Sequence, residues 1–557
     1  MECFVRGSGS RTNGGCREGN VVSTAVRKAA WSAAMPADGW SEDLRWYAAA
    51  IHQMKLLTPD LDEYRPLAFR VFTLSTIDSL TPEEREENDR ALARLDVIIR
   101  QWSDPRSLGY QAQVHATFLT RSRWPRHRGR RVLWEECAHG NWFFLPWHRA
   151  YLLEFEAVAR AHIEALGGPH ETWALPYWNS SDYRRIPDAA TLPRALRGAT
   201  LPANVEIAGV EGPPAGRPNP LHEPSRTGPA PLTAPPSAAD WPDASTALRR
   251  AHYANAEGQN LVSFAGGYLE DLTRFHESDE HGLVDVRPHG GGHTRTGGFM
   301  RSFLTAGLDP AFWMHHANVD RLWETYAHPL GHGYPFPDGR PAAGLQRDAF
   351  DSWTGRGFRF LRPDGSVKRW SAPEVLDTES IGFRYDTIAP PIFNAVPPPP
   401  AEGEINPFGL DVPTFNPLAA ADGVRLAGPT TVDLVGPGDV DGTALVAPGQ
   451  RWIVRFDGIR CRAPAVTSFA VYLDPDGDDS PGTRRLLGML TLFGVFEASL
   501  DRAGNRGSTR LFEATGVVEG LDGFDPFASR LTLVPDVADG DVEAMGLTVE
   551  RISLEVA

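Results

Sequence analysis

A proline-dense stretch, APPIFNAVPPPPAEGEINPFG at residues 389–409, divides the chain into two grammars. Proline fixes φ and removes a backbone donor, so neither a helix interior nor a central strand can run through it. The stretch reads as a semi-rigid linker, assigned to residues 389–418. A chain of 557 residues also exceeds what one hydrophobic core usually supports.

On the N-terminal side the apolar residues recur at helical spacing. WSEDLRWYAAAIHQMKLL (40–57) places Leu44, Tyr47, Ala48, Ile51 and Met54 on one face. TPEEREENDRALARLDVIIRQW (81–102) opens with Thr81 as N-cap and Pro82 at the first helical position. GYQAQVHATFL (109–119), WHRAYLLEFEAVARAHIEAL (147–166) and DPAFWMHHANVDRLWETY (309–326) read as further helices. Residues 186–244 are rich in Pro, Gly and Ala without a period, which reads as a long loop. Past the linker the runs 467–474, 484–500, 510–521, 529–536 and 547–556 are strand-like and bounded by Gly, Asp and Pro, an all-β sandwich pattern. The expected fold is therefore multidomain α + β. A flexible segment occupies 1–36, a mainly helical domain 37–388, and a β-sandwich 419–557.

Composition narrows the function. With 41% hydrophobic and 23% charged residues the chain reads as an ordinary globular protein. A formal charge of −16 argues against nucleic acid or an anionic membrane as partner. Four cysteines, Cys3, Cys16, Cys137 and Cys461, are no disulfide framework, although Cys3 and Cys16 can pair. The N-terminus lacks the apolar core of a secretory signal, so the default expectation is cytoplasmic, with export alongside a partner left open.

Histidines carry the chemistry. Three segments concentrate them: YQAQVHATF with His115; CAHGNWFFLPWHR with His139 and His148; and the segment from RPHGGGH to FWMHHANVDRLW with His289, His293, His315 and His316. His289 and His293 are four apart and share a face if helical, but Gly290, Gly291 and Gly292 between them are poor helix formers, so packing must supply the support. Alone, such a pair is a weak metal signal. Two sets of three, each with one histidine on an aromatic-rich helix, make two three-imidazole sites. Imidazole suits Zn, Cu, Fe and Ni. The missing ligand carboxylate and the absence of HExxH disfavour hydrolytic zinc and facial-triad iron, whereas neutral imidazoles in an apolar pocket suit copper cycling between Cu(I) and Cu(II). Two such sites side by side suit O₂ as co-substrate, and the aromatic packing would lock ligand rotamers and exclude water.

DPRSLGYQAQVHATF, CAHGNWFFLPWHRAYLLEFE and DPAFWMHHANVDRLWETY resemble the two copper-binding signatures of the type-3 copper proteins: tyrosinases, catechol oxidases and molluscan haemocyanins. The resemblance implies a four-helix bundle holding two copper ions, the first on His115, His139 and His148, the second on His289, His293 and His316, with His315 behind them. It also implies a thioether between Cys137 and His139; a buried free thiol is the plainer alternative. Phe312 is expected to wall the pocket, and Phe303 to gate the second copper. Asp320 either orients a ligand or pairs with Arg149 or Arg321. Phe383 and Tyr385, in GFRYDT, resemble a closing motif that packs rather than reacts.

The implied activity is oxidation of small o-diphenols to o-quinones with O₂. Monophenol hydroxylation is expected to be weak. In the family the residue after the first ligand of the second copper is often an Asn that helps hold a basic water, and here it is Gly290. Glu280 and Asp285 are upstream carboxylates that can serve instead or stand as solvated surface charge, the latter being favoured. The rival readings are a haemocyanin-like O₂ carrier and an o-aminophenol oxidase. The β domain resembles the covering domain of haemocyanin units and latent plant enzymes, where an apolar side chain plugs the entrance. Phe493 or Phe496 is placed to do so, with plain core packing the alternative. The oligomeric state and a copper-delivery partner are left open.

Overall fold

The computed structural model describes residues 24–32, 34–75, 80–213, 216–226, 241–256, 263–268, 281–335, 347–389, 408–409, 415–436, 442–463, 467–475, 484–499, 507–535 and 540–557. Cys3, Cys16 and Glu280 lie outside them, as do most of segment 1–36 and most of the 389–418 linker.

The helices begin where capping chemistry allows. Helix α1 (Glu42–Leu56) is capped by Ser41, whose hydroxyl accepts from Leu44 N. Helix α2 (Leu61–Ser75) was not expected, because Pro66 lies inside it. Helix α3 (Pro82–Gln101) starts with a full capping box between Thr81 and Glu84. Helix α4 (Leu108–His115) is capped by Ser107 and ends on its histidine, after which Ala116 is extended. Helix α5 (Phe144–Ala165) begins three residues ahead of the expected start. Pro146 falls in its first turn, where a missing N–H costs nothing because that donor has no intrahelical partner. Helix α6 (Gly290–Thr296) continues a wide π turn at Asp285–His289. Helix α7 (Pro310–Ala327) is capped by Asp309 and buried along its whole length. No described helix is long and apolar enough to cross a membrane.

Helices α5 and α7 pack directly, with the Phe155 and Trp313 rings stacked at 3.6 Å. Buried charge ties them to both ends of the helical region. Strand β1 (Ala25–Arg27) pairs in parallel with β2 (Phe383–Tyr385). The Arg27 guanidinium reaches Glu156 of α5 at 2.8 Å and Asp320 of α7 at 3.2 Å. It also lies over the Phe383 ring at 3.8 Å. Asp320 accepts from Arg149 Nε at 2.6 Å and from the Tyr385 hydroxyl at 2.5 Å. So Asp320 pairs with Arg149 and not with Arg321, which holds Asp182 at 2.9 Å. Phe383 and Tyr385 pack and brace, as expected.

The C-terminal strands form two four-stranded antiparallel sheets. They are β3 (Asn416–Leu426), β4 (Thr430–Asp433), β5 (Trp452–Ile459), β6 (Phe469–Asp474), β7 (Arg485–Leu490), β8 (Ser508–Glu513), β9 (Arg530–Pro535) and β10 (Leu547–Val556). The sheet orders are β3-β10-β5-β8 and β4-β9-β6-β7. Strands β3, β4 and β5 lie outside the expected set; β3 is rich in Ala, Asp and Gly, which favour strands poorly. The expected run 484–500 stops at Leu490, and Gly494 turns the chain at φ +82°. A Cβ on Gly494 would stand 2.7 Å from the Phe303 ring, so only glycine lets this loop close on the helical region. The core between the sheets also takes in Phe72, Ala116 and Leu304 from the helical side. Phe496 meets Phe72 edge-on at 5.8 Å across this seam.

Replacing Asp320 by Ala would leave two buried guanidiniums short of a partner, a loss of about 3–5 kcal/mol. Trp452 is the one tryptophan beyond residue 370. Denaturant unfolding followed by tryptophan fluorescence therefore reports on the helical region and should show a markedly lower midpoint in Asp320→Ala. A midpoint equal to wild type would remove this network from the account.

Candidate metal centre

Six buried imidazoles meet where α4, α5, α6 and α7 converge. His115 ends α4, His139 sits on the loop before α5, and His148 lies in the early turns of α5. His289 closes the π turn, His293 is on α6 and His316 on α7. Within the first set the ring centroids are 5.1–5.8 Å apart. Within the second they are 4.6–5.4 Å apart. The sets touch each other: His148 stacks on His316 at 4.4 Å, and His139 lies 5.4 Å from His289.

The outer nitrogens decide what the inner ones can do. His115 Nδ1 faces the Phe303 carbonyl at 3.0 Å, and His148 Nδ1 the Phe144 carbonyl at 2.7 Å. His293 Nδ1 faces the Met300 carbonyl at 2.7 Å, and His289 Nδ1 the Asp285 carbonyl at 3.0 Å. A carbonyl only accepts, so each of these rings carries its proton on Nδ1 and presents the Nε2 lone pair. His115 Nε2 and His289 Nε2 are buried without any hydrogen-bond partner, which is the state of a ligand atom awaiting a cation. His293 Nε2 and His316 Nε2 face each other at 3.3 Å.

Neighbouring His315 has the reverse arrangement. Its ligand atoms fall within 4.8 Å of those of His289 and His293. Its Nε2, however, lies 2.9 Å from the His289 carbonyl and so carries the proton, which braces the ring beside it and leaves Nδ1 as the open nitrogen. Two of the three glycines before His293 now have a reason: a Cβ on Gly292 would stand 2.2 Å from His315 Cε1, and one on Gly291 2.5 Å from Trp241 Cδ1. Packing, not propensity, holds this helix.

Cys137 Sγ lies 3.1 Å from His139 Nδ1, 3.8 Å from its Nε2 and 3.5 Å from His148 Nε2. Burial pushes its thiol pKa up. Phe312 touches both sets, at 5.1 Å from His115 and 4.3 Å from His316. Phe303 differs from expectation. It stacks on His139 of the first set at 4.2 Å, because its own carbonyl is tied to His115. Over the second set lies Phe493, stacked on His293 at 3.8 Å and edge-on to Phe303 at 4.5 Å. Phe496 does not enter the site. Gly290 has room for a Cβ, with Asp285 O and Thr491 Oγ1 each at 3.4 Å.

Asp285 is not the solvated charge favoured from sequence. It is buried, and its Oδ1 lies 2.9 Å from His289 Nδ1. Its four-residue spacing from His289 was the available signal. Burial alone would raise its pKa, but His281, His289 and His139 hold it well below the usual carboxylate range.

Residues 105–328 match the family described as the common central domain of tyrosinase, and residues 426–556 match a domain family of unknown function. A tyrosinase, HcTyr1, of Hahella sp. is 27% identical over 486 residues, covering 82% of this chain and 93% of its own. The (+)-larreatricin hydroxylase of Larrea tridentata is 23% identical over 509 residues, covering 85% and 76%. A latent aurone synthase (polyphenol oxidase) structure aligns with a TM-score of 0.50 at 18% identity, covering 97% of this chain and 90% of that one, and shares the fold. Residues 105–328 thus match the central domain shared by tyrosinases, and the relatives named above support a type-3 copper protein. The donor set fits that family's pair of copper ions, since buried neutral imidazoles with unpartnered Nε2 atoms suit copper.

Burial lowers the pKa of His115 and of His315 to about 3. It also holds His139, His148, His293 and His316 well below normal. Unfolding restores ordinary histidines near pH 6.5, so below that pH the unfolded chain binds more protons than the folded one. The metal-free protein should therefore lose stability as pH falls from about 6.5 toward 3, by about 1.4 kcal/mol per pH unit for each proton taken up. Melting curves of chelator-treated protein across this range check it; a flat profile would contradict the buried neutral cluster.

Proposed function

We propose that the chain is a polyphenol oxidase that oxidises small o-diphenols to o-quinones with O₂. The observation that carries this is the pair of histidine sets with their Nε2 atoms turned inward. In this reading His115, His139 and His148 hold the first copper and His289, His293 and His316 the second. Helices α4, α5, α6 and α7 form the four-helix frame around them. The catalytic unit spans 37–388, the linker 389–418 and the covering unit 419–557. Bound there, the copper pair would supply the electron-transfer step between diphenol and O₂.

The residues of the chain do the rest. Phe144, Trp147 and Phe312 keep the rings in place and water out. Phe493 occupies the face of His293 where a phenol ring would stack, which supports a latent enzyme whose entrance is plugged by its β domain. Thr491 donates to the Val286 carbonyl at 2.6 Å, and buried Arg510 donates to the Phe493 carbonyl at 3.1 Å, so the plug is held from both sides. Hydroxylation of monophenols is expected to be weak, because Gly290 offers no side chain and Asp285 is engaged with its neighbours. The same plug fits the second reading, an O₂ carrier that keeps phenols out.

O₂ uptake by copper-loaded protein given a simple catechol separates the two. A Phe493→Ala variant should consume O₂ at least about tenfold faster than wild type, since a 1.4 kcal/mol release of blocking contact is already tenfold. No uptake in either protein, with copper bound, would sink the oxidase reading and favour the carrier.

The thioether follows from the same geometry. A sulfur near both ring nitrogens of His139 faces the carbon between them. Peptide mapping of copper-treated protein should find Cys137 and His139 joined, two hydrogens lighter than the sum of separate residues. An unmodified peptide would leave Cys137 as a buried thiol.

A further inference from the structure

One buried carboxylate touches both histidine sets. Asp285 Oδ1 accepts from His289 Nδ1 at 2.9 Å. Its Oδ2 accepts from Gly140 N at 2.9 Å, one residue past His139, and lies 2.8 Å from His281 Nδ1. The residue is 3% exposed, and each carboxylate oxygen is engaged. Its ligand-atom position falls within 4.8 Å of those of His139 and His289 together.

The backbone explains the placement. Asp285–His289 is a single π turn, which brings the carboxylate beside the ring four residues on. Gly140 adopts φ +68°, which swings its N–H toward Asp285. Tautomer choice alone does not require a carboxylate here. Backbone carbonyls fix the proton on His115, His148 and His293 without any charge. The His289 ring also has the Asp285 carbonyl at 3.0 Å. What the side chain adds is the second link, from the π turn to the turn that carries His139.

We propose that Asp285 is a positioning residue that locks the two metal sites together, orienting His289 through Oδ1 and anchoring the His139–Gly140 turn through Oδ2, with His281 steadying the carboxylate from outside. This rests on the dicopper reading above. An amide cannot replace the carboxylate. Asparagine has one acceptor oxygen for two N–H donors on opposite sides, so one donor must face its NH₂ group. Loss of a carboxylate behind a ligating histidine typically weakens metal binding about 10–100-fold.

The test is a copper(I) competition between the full-length chain and a chromophoric chelator, comparing wild type with Asp285→Asn. The expected result is affinity about 10–100-fold weaker for at least one of the two ions, whether or not the metal-free melting temperature also falls. Unchanged copper affinity would overturn the proposal. So would a lowered metal-free melting temperature with normal affinities, the signature of a purely structural residue. Should Asp285→Asn fail to fold, His281→Ala removes only the outer support and should weaken copper binding several-fold in a folded chain. No change there would also overturn the proposal. Wild type that binds two copper ions yet oxidises no phenol would sink the functional reading alone, since the affinity comparison still stands.

Discussion

The structure depends on keeping six imidazoles buried together at one place. A buried polar nitrogen without a partner is costly, and this chain leaves at least two of them so. The cost is tolerable only if the surroundings cannot relax to satisfy those atoms from another direction. That is the role of the Nδ1 contacts. Two come from the histidine's own helical turn, at Phe144 and Asp285, and two from separate segments, at Phe303 and Met300. Metal binding then supplies the missing partner and is linked to folding.

Around this centre the remainder acts as a brace. Arg27, Arg149, Glu156, Asp320 and Glu324 lie behind α5 and α7 and lock the helices that carry His148 and His316. Such a network specifies geometry more than it adds stability, because the desolvation of each ion offsets much of the attraction. The β domain closes the open side. Its 491–494 loop reaches the histidines only because Gly494 permits a turn against Phe303. One end of the site is thus braced by charge, and at the other Phe493 meets Phe303 and His293 in apolar contact.

Much of this was legible in the sequence, for definite reasons. Histidines in aromatic segments and the strong helix cap at Thr81 are local signals, and the structure places those helices where their patterns fall. Among the described residues both four-stranded sheets lie beyond residue 389 and every helix of eight residues or more lies before it. What sequence did not reveal is non-local. Helix α2 carries Pro66 in its second turn, where it removes one backbone hydrogen bond, and packing overrides that local signal. Phe303 was expected over the second histidine set yet stacks on His139 of the first, because nothing in linear spacing shows that its carbonyl is claimed by His115. Asp285 read as surface charge because its partner Gly140 comes from a segment 145 residues away. Phe493 and Phe496 were indistinguishable as plugs until the loop placed one on His293 and the other on Phe72.

The most direct test of the central claim is copper per chain, by elemental analysis, in wild type and in three single variants. The account predicts two ions in wild type, about one in His115→Ala, about one in His316→Ala and two in His315→Ala. One ion or none in wild type, or loss of copper from His315→Ala with retention in His316→Ala, would contradict it.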